Sequence, residues 1–263
     1  MLGTRRVHRQ KAVALFRARC LDAQLRVQIS SRARSEWLRS RLLDCQERLY
    51  ALDAYAEKTW NLESRQLSAY LGAIYRSLAA IPHVSARHRS SYMAVIEEYA
   101  DVELGIRAGR VPSELPMDRF YSRKACDIRI FRNIVYLVSG EVAPAVEVDQ
   151  WHQFDILSEV LDDVADVSED LNTFNGNRLV FRMADVGLDV ALREYDAFLR
   201  TGWHLLHVSL SRGQGAFASI MAADDLVGAG PVDAGSQHRG PSWTCSRMSK
   251  SPHRSPWYAL AGA

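Results

Sequence analysis

Between Arg132 and Arg178 the chain has no Lys or Arg, yet this stretch carries the run D155-I-L-S-E159-V-L-D162-D163-V-A-D166-V-S-E169-D170. Asp155, Glu159, Asp162 and Asp166 recur at steps of four, three and four, so a helix stacks them on one face, and Asp170 extends it. Like charges at this spacing cost a helix roughly 0.2–0.5 kcal/mol per pair. A fold that keeps the stripe must leave it in water, bring arginines to it from elsewhere, or bind an external cation. Leu157, Val160, Leu161, Val164, Val167 and Leu171 fill the opposite side, so a surface helix with an acidic outer face reads the same way.

The rest of the chain narrows the setting. Residues 10–210 divide into helix-length segments rich in Ala, Leu, Arg and Glu, over 10–29, 33–60, 64–80, 86–108, 117–139, 150–171 and 178–210. Breaks fall at Pro82, Pro112 to Pro116, Gly140 to Pro144 and Asn175-Gly176-Asn177. No alternating strand pattern occurs, so the expected fold is an all-α, single-domain antiparallel bundle over 1–210. Residues 211–263 hold seven of the fifteen glycines and four of the eight prolines, and read as an irregular tail.

Charge is uneven. Residues 1–48 hold 12 Lys/Arg against four acids, leaving the remainder net acidic. Those arginines are spread around their helices without a recognised DNA-binding motif, so nucleic acid is not an expected partner. No apolar run reaches the ~18–20 residues of a membrane span. Cys20, Cys45, Cys126 and Cys245 are scattered, which argues against a zinc site or a disulfide framework and favours the cytoplasm.

A second acidic pair lies in L52-D53-A-Y-A-E57-K-T-W60. Leu42, Leu49, Ala56 and Trp60 mark an apolar face, and Asp53 projects from its middle. A carboxylate there needs an arginine partner or a metal. Two helices presenting acids at i,i+4 suggest a metal held between them. With no Glu-x-x-His pair the ligands are all oxygen, which suits Mg²⁺, an ion that usually shares a site with phosphate. The cationic segment F120-Y121-S-R123-K124-A-C-D127-I-R129-I-F131-R132 would hold a diphosphate, or else pair internally with the stripe. Asn175-Gly176-Asn177 signals a turn or helix cap, and Arg178 follows it directly.

The order of these blocks resembles the class I isoprenoid synthase superfamily, closest in layout to its squalene/phytoene synthase branch, over roughly residues 33–185. D166-V-S-E169-D170 is similar to that branch's second Asp-rich motif, and D53-A-Y-A-E57 takes the place of the first. I96-E-E-Y-A-D101-V-E-L-G-I-R-A-G-R110 resembles the helix before the branch's Tyr block, and Y121-S-R-K-A125-C-D falls where that block belongs. The block departs from the branch in carrying Arg123, Lys124, Cys126 and Asp127 where small residues are usual, which favours a single-substrate cyclase over head-to-head coupling. D162-D163-V-A-D166 also spells the DDxxD of prenyltransferases and cyclases.

The resemblance implies an isoprenoid synthase-type bundle around a central apolar cavity. It implies a Mg²⁺-dependent terpene synthase ionising a C15 or C20 prenyl diphosphate, with several ions bound alongside the substrate. Asp53, Glu57, Asp162, Asp166 and Asp170 are the expected metal ligands. Lys124, Arg129 and Arg178 are the expected diphosphate partners, and Tyr55, Trp60, Phe131 and Phe174 the expected aromatic walls. A head-to-head prenyltransferase and a non-catalytic helical protein are the alternatives; a homodimer is compatible with all three.

Overall fold

The computed structural model describes residues 2–173, 176–211 and 215–227. Phe174, Asn175, residues 212–214 and residues 228–263, most of the expected irregular tail, lie outside the described residues.

All regular structure among the described residues is helical. Helices α1 (Leu2–Ala18), α2 (Leu21–Gln28), α3 (Arg32–Lys58), α4 (Ser64–Ala79) and α5 (Ala86–Gly105) lead to α6 (Met117–Lys124) and α7 (Cys126–Ser139). There follow α8 (Ala145–Ala165), α9 (Val167–Asp170), α10 (Arg178–Val186), α11 (Leu188–Leu210) and α12 (Ala216–Val227). Local chemistry sets several ends. The Ser31 and Ser85 hydroxyls cap α3 and α5, and Asn177 caps α10 by accepting from the amides of Leu179 and Val180. Gly140 ends α7 at φ 80° and Gly187 separates α10 from α11 at φ 83°, both in the left-handed range where a side chain is strained.

The helices enclose two apolar cores. One gathers Phe16, Leu25, Leu38, Leu42, Ile74, Leu78, Phe131 and Val135 from α1 to α5 and α7. The other gathers Phe120, Phe154, Leu157, Val160, Leu179, Tyr195, Leu199 and Phe217 from α6, α8 and α10 to α12. Fully burying a side chain of this size stabilises by roughly 1.5–3 kcal/mol, so each core holds its helices firmly. The acidic side of α8 lies against α7 and the α1–α2 break, along the seam between the cores.

Several expectations change. The segments 10–29, 117–139 and 178–210 are each two helices, broken after Ala18, at Ala125 and at Gly187. The tail is not irregular from residue 211, because Ala216–Val227 is helical and buries Phe217 and Ile220. Phe217 packs edge-on against Trp151 at 4.5 Å, and Glu147 accepts from the Ala216 amide at 3.2 Å, tying the start of α12 to α8. The expected aromatic walls also disperse. Tyr55 packs against Tyr70 with the rings tilted, Trp60 is 49% exposed, and Phe131 is sealed in the first core against Phe16.

Candidate functional site

The acidic stripe is neutralised along its first half from within the chain. Arg132 forks onto Asp155 with bonds of 2.8 and 2.6 Å. Arg19 donates to Glu159 and to Asp162, each at 2.7 Å, and to the Asp155 carbonyl at 3.1 Å. The Arg19 carbonyl in turn accepts from Arg132 at 2.7 Å. Arg19 reaches the seam because the chain breaks immediately after it: Cys20 takes a left-handed conformation, φ 55°, between α1 and α2. Asp155 is fully buried and so is paired rather than solvated. Asp162, expected as a metal ligand, is partly exposed but already bonded to Arg19, which withdraws it from a metal role.

Asp163, one residue on, is a buried hub. It accepts from the Lys124 ammonium, from the Tyr121 hydroxyl at 2.6 Å and from the Arg178 amide at 3.0 Å. Asn177 reinforces this corner, donating to the Asp163 carbonyl and to Asp170, each at 2.7 Å. Nearby, the Gly176 amide donates to Glu103 at 3.0 Å, and a Cβ there would displace that carboxylate.

Lys124 bonds Asp163 and lies within electrostatic reach of both acidic pairs. Its charge acts on Asp53 and Glu57 from α3, on Glu103 from α5, and on Asp166 and Asp170 at the far end of α8 and in α9. The charge of Asp170 also reaches Glu57 and raises it. Asp53, Glu57, Glu103, Lys124 and Asp127 are each partly exposed, while protein on several sides desolvates them. The group is thus recessed rather than sealed.

Carboxylates outnumber the cation here, and their protonation shows it. Burial, then the like charges of Glu57, Asp127 and Glu103, pushes Asp53 well above the usual carboxylate range. Burial followed by Glu103 and Asp170 raises Glu57. Asp166 is pushed up to about 6 by partial burial and by Asp162, Asp170 and Glu169. Because its side chain stays largely on the surface, the like charges deserve more weight there than the burial. Asp127 is also raised by burial, though Gln46 and the Ile128 amide bond it at 2.8 and 2.6 Å. Such a cluster gains from any added positive charge.

The other expected cations are elsewhere. Arg178 spends its guanidinium on the carbonyls of Leu115 and Ser113 and on the Tyr195 hydroxyl, so it braces α10 instead of facing a phosphate. Arg129 lies two residues from Asp127 on another face of α7, bonds Ser122 at 2.9 Å, and lines a cleft of about 360 Å³. That cleft lies between α7 and the first half of α8 and is not lined by Asp53, Lys124 or Asp166. Sequence reasoning did not single out Glu103, although its place on the helix carrying I96-E-E-Y-A-D101 was a signal. It also missed Asp163 as the anchor of Lys124 and Arg19 as the partner of the stripe.

Among the described residues, no three His, Cys, Asp or Glu side chains stand close enough to form a ready-made metal site. Among the same residues, no helix is long and apolar enough to cross a membrane. No protein-family model, no curated protein and no solved structure matches the chain.

Proposed function

We propose that this protein binds an allylic prenyl diphosphate together with Mg²⁺ and ionises it, as a class I terpene synthase does. The observation that supports this is that Lys124, anchored on Asp163, lies within electrostatic reach of Asp53/Glu57 from α3 and of Asp166/Asp170 from the far end of the acidic run. The donor set suits Mg²⁺, since it is all oxygen and the acids are too far apart to form a closed cage. Mg²⁺ keeps several waters and takes one or two carboxylates plus substrate phosphate oxygens.

Asp53 and Glu57 would hold metal from α3, and Asp166 and Asp170 from the opposite side. Bound Mg²⁺ would stabilise the negative charge that develops on the departing diphosphate. Lys124 would bond the same diphosphate, with Asp163 and Tyr121 fixing the position of its ammonium. Arg19 and Arg132 would keep the neighbouring acids of α8 from competing for the ion. A bundle of the isoprenoid synthase type, with an apolar cavity above these acids for a C15 or C20 chain, is part of the same proposal.

The test is diphosphate release from C10, C15 and C20 prenyl diphosphates with Mg²⁺. A cyclic or rearranged hydrocarbon supports the lyase; a longer linear product supports a head-to-head prenyltransferase. No release from any chain length with any divalent metal removes the reading. One observation favours a non-catalytic helical protein instead: Asp155, Glu159 and Asp162 already have their counter-charges inside the chain. That reading predicts neither release nor Mg²⁺-dependent binding of diphosphate.

A further inference from the structure

The cleft between α7 and α8 has a chemistry of its own. Arg129, Arg132, Asn133 and Tyr136 recur at i, i+3, i+4 and i+7 and so form one face of α7. The first half of α8 supplies the facing wall, with Val148, Trp151 and His152. The cleft reaches only to Asp155, eight residues before Asp163, or about 12 Å along a helix rising 1.5 Å per residue. It is therefore separate from the Lys124 corner.

Two of its donor side chains, Arg129 and Asn133, are not committed to a carboxylate, whereas Arg132 bonds Asp155 and the Tyr136 hydroxyl bonds Glu147. Arg129 bonds the Ser122 hydroxyl and has no carboxylate within salt-bridge range among the described residues. The Asn133 carbonyl accepts from Tyr92, which leaves its amide N–H groups uncommitted. The buried indole N–H of Trp151 is directed at the Tyr136 phenol oxygen. His152 reaches Ser122 only at 3.4 Å, and its buried Nδ1 has no partner. Burial, with Arg129 beside it, lowers the His152 pKa and keeps the ring neutral near pH 7.

Two acids also line the cleft. Asp155 is consumed by Arg132. Asp149 is exposed, at the rim. The Arg132 guanidinium covers the Trp151 ring, 3.7 Å from its centre, and Val148 and the Tyr136 ring supply the apolar part of the lining. A cleft of this size, with apolar walls and a few convergent donors, has the make-up of a small-molecule site.

The geometry points to a binding site for a small organic carboxylate, its carboxyl on Arg129 and Asn133 and its apolar body against Val148 and Tyr136. The site is independent of the diphosphate reading. Isothermal titration of the full chain with phenylacetate tests it, with benzyl alcohol as the neutral counterpart. Phenylacetate should saturate at one per chain and bind about tenfold or more tighter than the alcohol, because charge-assisted bonds are the stronger kind. Arg129→Met should lose that preference while keeping its helical circular dichroism. Val148→Trp, a change at an exposed position, should fill the cleft and abolish binding of both compounds. Absence of saturable phenylacetate binding overturns the proposal, and so does an unchanged preference in a folded Arg129→Met variant.

Discussion

Arg19 donates to Glu159 at 2.7 Å across 140 positions of chain, and both residues are buried where the two apolar cores meet. Arg19 is strongly held in its charged form by Glu159, Asp162 and Asp155, against the cost of burial. Burial and the like charge of Asp162 raise the Glu159 carboxyl, and Arg19 opposes that rise. The pair works as a strut between the α1–α2 break and α8, and its loss strands a carboxylate in the interior.

Arg19→Ala should therefore destabilise the fold by about 3–5 kcal/mol, the range for breaking a buried ion pair from one side. Urea unfolding followed by circular dichroism reads this directly. Arg9→Ala, which cuts half-exposed pairs to Asp44 and Glu47, should cost about 1 kcal/mol or less in the same experiment.

Asp166 makes stability depend on pH in a sense that can be worked out. Its pKa is pushed up from an ordinary 3.8 to about 6, so between those values the unfolded chain has released the proton while the folded chain still holds it. The folded state then binds more protons, and stability falls as pH rises through that window. Asp166→Asn should unfold at a higher temperature than the native chain at pH 7, with the gap closing by pH 4. Thermal melts across that range check it, and a gap that widens toward pH 4 would refute the assignment.

Lys124→Met removes the counter-charge shared by the two acidic pairs and leaves Asp163 buried beside Tyr121 without its cation. The expected loss is about 3–5 kcal/mol near neutral pH. It should shrink on acidification, when Asp53, Glu57 and Asp166, all raised, carry protons. Paired melts at pH 5 and pH 7 distinguish this from a packing defect, which would be insensitive to pH.

Phe217 sits among Trp151 and Phe154 and anchors α12. Phe217→Ala should cost about 3–5 kcal/mol of local docking free energy. Hydrogen exchange should speed up across residues 216–223 before it changes in α3 or α4.

Much of the helical layout was legible because Pro82, Pro112, Pro116, Gly140 and Pro144 punctuate runs of good helix formers. The break at Ala125 was not, since A125-C126-D127 contains no breaker; the turn there is imposed by packing Phe120 and Tyr121 into one core and Phe131 into the other. The desolvation of Asp53 was legible from an acid on an apolar stripe. Arg19 was not distinguishable from the other cations of residues 1–48, because only the three-dimensional course of the chain shows which one points into the seam. Arg129 and Arg178 were sensible diphosphate partners by position. They fail by direction, one facing a different cleft and the other tied to the carbonyls of Ser113 and Leu115.

The central claim, that Asp53/Glu57 and Asp166/Asp170 share one cation–diphosphate site around Lys124, is tested most directly by titrating inorganic diphosphate into the protein with and without Mg²⁺. The account predicts saturable binding that requires Mg²⁺ and weakens about a hundredfold or more in Asp53→Asn and in Asp166→Asn, because each removes a proposed metal ligand from a different side. Diphosphate that binds equally well without Mg²⁺, or binding unchanged in either folded variant, would contradict it.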